Sequence, residues 1–183
     1  MRIIAGEHRG RKLADFEGRN IRPTTDRVKE SVFNLIQEYI SDAGVLDMFG
    51  GSGALFLEAL SRGAAHAVCI EKDRRAADII RKNIDTLGYG GKCELITGDS
   101  LGYIGRCGRS FDIIFLDPPY NKGFAEPSLK TIAENGLLTD RGIAVLESDD
   151  TDFFGEVRGL EIIKQRKYGR THITVYKKTG EGN

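Results

Sequence analysis

From Gly44 onward the chain repeats one pattern: a short apolar run, a glycine-marked or polar turn, then a longer stretch with apolar residues at helical spacing. The apolar runs at 45–49, 67–71, 93–97, 111–116 and 143–146 have the length of strands. Several are almost wholly apolar, which suits strands covered on both faces, so the pattern predicts a largely parallel sheet with helices on either side. Intervening helices are expected over 54–62, closed by Gly63, and from about 74 to 87. The last two runs, 161–165 and 173–176, are joined through Tyr168-Gly169-Arg170. That link is too short for a parallel crossover and requires an antiparallel pair at one edge. The expectation is an α/β fold with a mostly parallel seven-stranded sheet and an antiparallel edge strand. Upstream, residues 1–22 are extended and punctuated by Gly6 and Gly10, as in a small β-hairpin or arm. A helix should follow, with Thr24-Thr25-Asp26 offering cap oxygens and Val28, Val32, Leu35, Ile36 and Tyr39 on one face to about residue 40. A chain of 183 residues suffices for one core, so 23–183 reads as a single compact domain carrying the 1–22 arm.

Several classes are disfavoured. The apolar stretches fall far short of the about 20 residues that span a bilayer, and Arg2-Ile3-Ile4 begins no export signal. Cys69, Cys93 and Cys107 are widely spaced without histidine neighbours, which points to reduced thiols, no metal site and a cytoplasmic setting. The expected state is a monomer with no membrane contact. Net charge is zero, yet residues 1–29 hold eight basic against four acidic side chains, and 160–178 six against one. If these segments share a face, it is a candidate phosphate-binding surface.

Chemistry enters at strand ends. In an open α/β sheet, ligands sit at the carboxyl ends of the strands, where a glycine turn lets backbone approach them. Asp47-Met48-Phe49-Gly50-Gly51-Ser52-Gly53 occupies that place after the first strand, although a plain tight turn would use the same glycines. Glu71, at the end of the second strand, can accept hydrogen bonds from both hydroxyls of a ribose. A nicotinamide dinucleotide would share that acid, but its fingerprint wants a small residue where Phe56 stands. After the fourth strand comes Asp117-Pro118-Pro119-Tyr120, which resembles the (D/N/S)-P-P-(Y/F/W) motif of class I amino-methyltransferases. An exocyclic base amine is a poor nucleophile because its lone pair is delocalised into the ring. The Asp117 carboxylate and the Pro118 carbonyl can accept its hydrogens and favour a pyramidal nitrogen, and Tyr120 can stack on the extruded base.

The likeness extends over nearly the whole chain. Arg2-Ile3-Ile4-Ala5-Gly6, Arg9-Gly10-Arg11-Lys12-Leu13 and the segment Arg22-Pro23-Thr24-Thr25-Asp26-Arg27-Val28-Lys29-Glu30 accompany the glycine turn and the DPPY motif. Together they resemble the bacterial 16S ribosomal RNA guanine-N2 methyltransferase family. That resemblance implies a Rossmann-like class I methyltransferase fold with an N-terminal hairpin, S-adenosylmethionine as cofactor, and 16S rRNA of the assembling or assembled small subunit as partner. It also implies cofactor contacts at Asp47, Phe49, Gly50, Gly51, Ser52, Gly53, Glu71 and Asp99. Asp99 would meet the adenine amino group, a role compatible with capping a helix. Catalysis would fall to Asp117, Pro118 and Tyr120, and RNA phosphates to Arg9, Arg11, Lys12, Arg22 and Arg27. The alternatives are DNA adenine-N6 methylation by the same motif, for which no recognition segment is visible, a nicotinamide oxidoreductase, and a non-catalytic RNA-binding module. No role follows for Tyr168 or Arg170.

Overall fold

The structure, a computed structural model, describes residues 1–16, 26–119, 122–149 and 155–180. Its strands are β1 (Gly44–Asp47), β2 (His66–Glu71), β3 (Cys93–Thr97), β4 (Phe111–Leu116), β5 (Leu138–Asp149), β6 (Leu160–Tyr168) and β7 (Thr171–Lys178). They form one seven-stranded sheet in the order β3-β2-β1-β4-β5-β7-β6. Strands β1 to β5 pair in parallel, whereas β7 runs antiparallel to both its neighbours. The reversed strand therefore lies one position in from the edge, and β6 forms the edge itself. Chain order reverses between β1 and β4, the place where such sheets open a crevice.

The helices are α1 (Asp26–Leu35), α2 (Ala54–Ser61), α3 (Arg74–Leu87), α4 (Ser100–Ile104) and α5 (Ala125–Glu134). Helix α1 stops short of residue 40: a 3₁₀ turn, Gln37–Tyr39, replaces its last turn. The threonines expected to cap it, Thr24 and Thr25, lie outside the described residues. Helix α5 carries Pro127 at its third position, within the first turn, where the absent N–H breaks no intrahelical bond. Alternate residues of each strand feed two cores. Val45, Ile113, Phe115 and Ile143 pack with Val32, Phe33, Leu57 and Ile80. Leu46, Ile114, Leu116 and Ala144 pack with Ile104, Leu129 and Ile132. This period-two alternation places α1, α2 and α3 on one face and α4 and α5 on the other.

The amino-terminal residues form a tight loop with one antiparallel bridge, Arg2 to Lys12, rather than a full two-stranded ladder. The Ile3 N–H donates to the Arg11 carbonyl at 2.9 Å and Leu13 N–H to the Met1 carbonyl at 3.0 Å. Ile3 and Leu13 enter the same core as α1 and α2. A buried carboxylate holds this loop in place. Glu58, on α2, accepts from the N–H groups of Ile4 at 2.8 Å and Ala5 at 2.9 Å, from Arg62 Nε at 2.8 Å, and pairs with Lys29 Nζ at 3.1 Å. The side chains of both Lys29 and Glu58 are almost wholly shielded from solvent. Burial pulls the Lys29 ammonium below its ordinary value, and the Glu58 charge pushes it back up. Lys29 also donates to the Arg2 carbonyl, so one ion pair ties α1, α2 and the loop together.

Removing one partner of such a pair leaves the other charged and buried. Glu58→Gln should therefore lower unfolding free energy by about 3–5 kcal/mol in urea titrations at neutral pH. A loss below about 1 kcal/mol would mean that the pair does not anchor the loop.

Candidate active site at the sheet switch point

Every acid singled out in the sequence stands at a strand's carboxyl end. Across the order β3-β2-β1-β4 they form a row: Asp99 just past β3, Glu71 ending β2, Asp47 ending β1, and Asp117 directly after β4. Three inter-strand steps of about 4.8 Å make that row roughly 14 Å long.

The glycine turn is held from beneath and from the side. The N–H of Gly50 donates to the Ile70 carbonyl at 2.9 Å and that of Gly53 to the Gly50 carbonyl at 2.7 Å. A side chain at Gly50 would place its Cβ 2.5 Å from Cys69 Sγ and 2.8 Å from Ile80 Cδ1, so only glycine lets the turn sit this close to β2. Gly51 adopts a φ of 56°, and open space surrounds the position its Cβ would take. Glu71 divides its carboxylate: Oε2 accepts from the Gly51 N–H at 2.8 Å and Oε1 from the Asp73 N–H at 2.7 Å. A carboxylate has about four acceptor positions, so it retains capacity for further donors. Asp47 lies under the turn and is 1% exposed, with the Phe49 N–H donating to Oδ1 at 3.3 Å. Burial pushes its carboxyl up to about 7, against the backbone N–H groups of Phe49 and Phe56 and with the Glu71 charge adding to the rise.

On the far wall, Pro118 is buried, Pro119 exposed and Asp117 partly buried. Burial raises the Asp117 carboxyl well above the usual carboxylate range, and the nearby charges of Glu147 and Asp47 raise it further. Phe49 meets Phe124, with ring centroids 6.0 Å apart and planes tilted by 52°. Asp99 caps α4, its Oδ2 accepting from the Gly102 N–H at 2.8 Å, while Oδ1 faces Lys72 Nζ at 4.0 Å.

Residues 1–177 match the family model described as Conserved hypothetical protein 95. Ribosomal RNA small subunit methyltransferase D of Escherichia coli strain K12 is 36% identical over 183 residues, all of this chain and 92% of that protein. The chain belongs to the ribosomal RNA small subunit methyltransferase D family. The family's Haemophilus influenzae protein is 35% identical, covering 96% of this chain and 93% of its own length. The solved structure of yhhF from Escherichia coli superposes with a TM-score of 0.88 at 36% identity, over 97% of each chain. The fold is that of class I methyltransferases, with a mixed, mostly parallel seven-stranded sheet.

The basic residues expected on RNA divide. Arg9, Arg11, Lys12 and Arg27 are exposed and form no ion pair among the described residues. Arg22 and Tyr120 lie outside the described residues. Lys29, counted in the amino-terminal basic surplus, is buried against Glu58 and does not belong to the basic face. Arg2, from the same count, is engaged with Asp26 at 2.8 Å. Three residues that line or hold the site escape a reading of the sequence: Phe124, Glu147 and Asn83. Phe124 and Glu147 belong to elements remote in sequence from the glycine turn, and only the sheet order reveals their place. Asn83, on α3, carries no local signal because its partners are the backbone groups of Ala14 and Ser52.

The raised Asp47 carboxyl makes stability depend on pH. The folded state holds this proton more tightly than the unfolded chain does. Its stabilising contribution is therefore complete below 3.8 and is lost as pH rises toward about 7. Asp47→Asn cannot titrate, so its Tm relative to wild type should climb across that window. A difference that stays flat from acid to neutral pH would contradict a proton-holding Asp47.

Proposed function

We propose that this chain transfers a methyl group from S-adenosylmethionine to the exocyclic N2 of a guanine in 16S rRNA of the small ribosomal subunit. The observation that carries the reading is the lateral order of the row. Asp99, Glu71 and Asp117 stand at successive distances across the strand ends, in the order adenine, ribose, reacting methyl of that cofactor. The residues present fit it: Glu71 keeps free acceptor positions, Gly51 leaves open space above the turn, and Asp99 spends only Oδ2 on its helix cap. Small-subunit ribosomal RNA as substrate is supported by membership in a family whose Escherichia coli relative is named for it, and a base amine as acceptor by the likeness of Asp117-Pro118-Pro119-Tyr120 to the amino-methyltransferase motif.

S-adenosylmethionine supplies a methyl on a sulfonium, an electrophile that needs no further activation. The protein's part is to present the nucleophile. Asp117 and the Pro118 carbonyl accept hydrogen bonds from the guanine amine and turn its lone pair toward the methyl. Holding both reactants in line contributes roughly 7–11 kcal/mol of rate acceleration in well-oriented systems. N2 must shed a proton as the methyl passes from sulfur to nitrogen and the sulfur keeps the electron pair of the broken bond. Asp117 in its carboxylate form would be the acceptor, and burial with the Glu147 and Asp47 charges favours the protonated product. Tyr120 stacks on the flipped base. Arg9, Arg11, Lys12, Arg22 and Arg27 hold the phosphates around it and fix its register.

The test is transfer of labelled methyl to small subunits from cells lacking the protein, followed by nucleoside analysis. N2-methylguanosine is the expected product; label confined to DNA adenine would overturn the substrate. Asp117→Ala should lower turnover by about 10²-fold or more while S-adenosylhomocysteine affinity stays within a factor of about two. Neutralising Arg9, Arg11 and Lys12 should flatten the salt dependence of RNA binding by about 0.7–0.9 in log-log slope for each phosphate that is no longer neutralised. An unchanged slope would remove those residues from the interface.

A further inference from the structure

Asn83 lies in the middle of α3 and is 1% exposed, yet it faces neither the crevice nor solvent. Its amide makes three hydrogen bonds to backbone. Oδ1 accepts from the Ala14 N–H at 2.7 Å, and Nδ2 donates to the Ala14 carbonyl at 2.9 Å and to the Ser52 carbonyl at 2.9 Å. Both amide protons are thereby used. The reverse orientation would set an oxygen against two carbonyls and an NH₂ against an N–H, so the network fixes the assignment. Ala14 belongs to the amino-terminal loop that carries Arg9, Arg11 and Lys12, and Ser52 belongs to the glycine turn.

We infer that Asn83 is a positioning residue that couples the RNA-holding loop to the cofactor turn, so that small-subunit RNA and the methyl donor bind cooperatively. The inference rests on the function proposed above. Two further contacts close the circuit. Ser52 Oγ lies 3.4 Å from Met1 Sδ, and the Met1 carbonyl accepts from the Leu13 N–H, so both limbs of the loop meet the turn beside Asn83. The start of α3 is capped by Asp73, whose N–H donates to the same Glu71 carboxylate that accepts from the Gly51 N–H. The turn is thus held at Gly51 by the carboxyl end of β2 and at Ser52 by the body of α3. Any displacement of the loop by phosphate contacts passes through the Ala14 backbone and Asn83 to the Ser52 carbonyl. A bound cofactor that orders the turn acts on the loop by the same route. Linkage makes the two effects equal.

The direct test is calorimetric binding of S-adenosylhomocysteine to the full chain, alone and with undermethylated small subunits. Wild type should bind it at least about fivefold more tightly with subunits present, the lower end of ordinary coupling. Asn83→Asp keeps the size and one acceptor but loses both donors. It should reduce that ratio below about twofold and raise KM for subunits, with kcat at saturation of both substrates little changed. Thr86→Ala, at an exposed position of the same helix whose hydroxyl donates to the Lys82 carbonyl, should leave the ratio intact. A folded Asn83→Asp protein with the wild-type ratio and KM overturns the coupling, as does one whose only defect is a lower Tm. Should the variant not fold, wild type still decides: an enzyme that methylates subunits but binds S-adenosylhomocysteine equally with and without them has no such coupling. A wild-type protein that neither methylates nor binds subunits instead overturns the function on which the coupling rests.

Discussion

Two parallel neighbours whose chains leave for opposite sides of a sheet cannot cover the gap above their ends, and β1 and β4 are that pair. The candidate site is built around that gap. The glycine turn leaves β1 toward α2 on one face, and the Asp117-Pro118 segment leaves β4 toward α5 on the other. The Met48 N–H donates to the Phe115 carbonyl at 3.1 Å, so the two walls stay in register to the last residue before they part. The separation of the two walls at their base is therefore that of adjacent strands.

Around that slot the structure uses buried polar groups as fasteners for irregular backbone. Glu58 satisfies two N–H groups of the amino-terminal loop that no strand would satisfy, and Asn83 does the same for Ala14. Asp47 holds the start of the glycine turn while taking a buried carboxyl's cost in solvation. These are sites where an apolar residue of equal volume would leave backbone unpaired. They are also the sites that link the loop, the turn and the helices, so rigidity near the crevice comes from polar contacts as much as from the two apolar cores.

The architecture was readable in the chain because its central strands β1, β4 and β5 are largely apolar and buried on both faces. The apolar runs at 93–97 and 111–116 match the observed strands to the residue, as polar or glycine neighbours bound them sharply. Strand β5 runs from Leu138 to Asp149, well beyond the apolar run, because pairing with β4 and β7 extends it through polar residues. The acids at strand ends were readable for the same reason, since position after a strand fixes position in the crevice. Lys29, Glu58 and Asn83 were not. Apart from Arg62, one turn beyond Glu58, their partners lie 27 to 69 residues away, and a lysine that will be buried looks like any other lysine until its glutamate is placed beside it.

The placement of β7 between β5 and β6 has a consequence for how the chain is made. During synthesis β6 leaves the ribosome before β7, its one strand partner among the described residues, and β5 waits with one ladder edge open along Ala144, Val145 and Leu146. Neither can be completed until the last strand has been released. The sheet therefore closes from its carboxyl-terminal side after translation has passed residue 178, and until then the apolar edge of β5 is a surface a chaperone, or a second nascent chain, would meet.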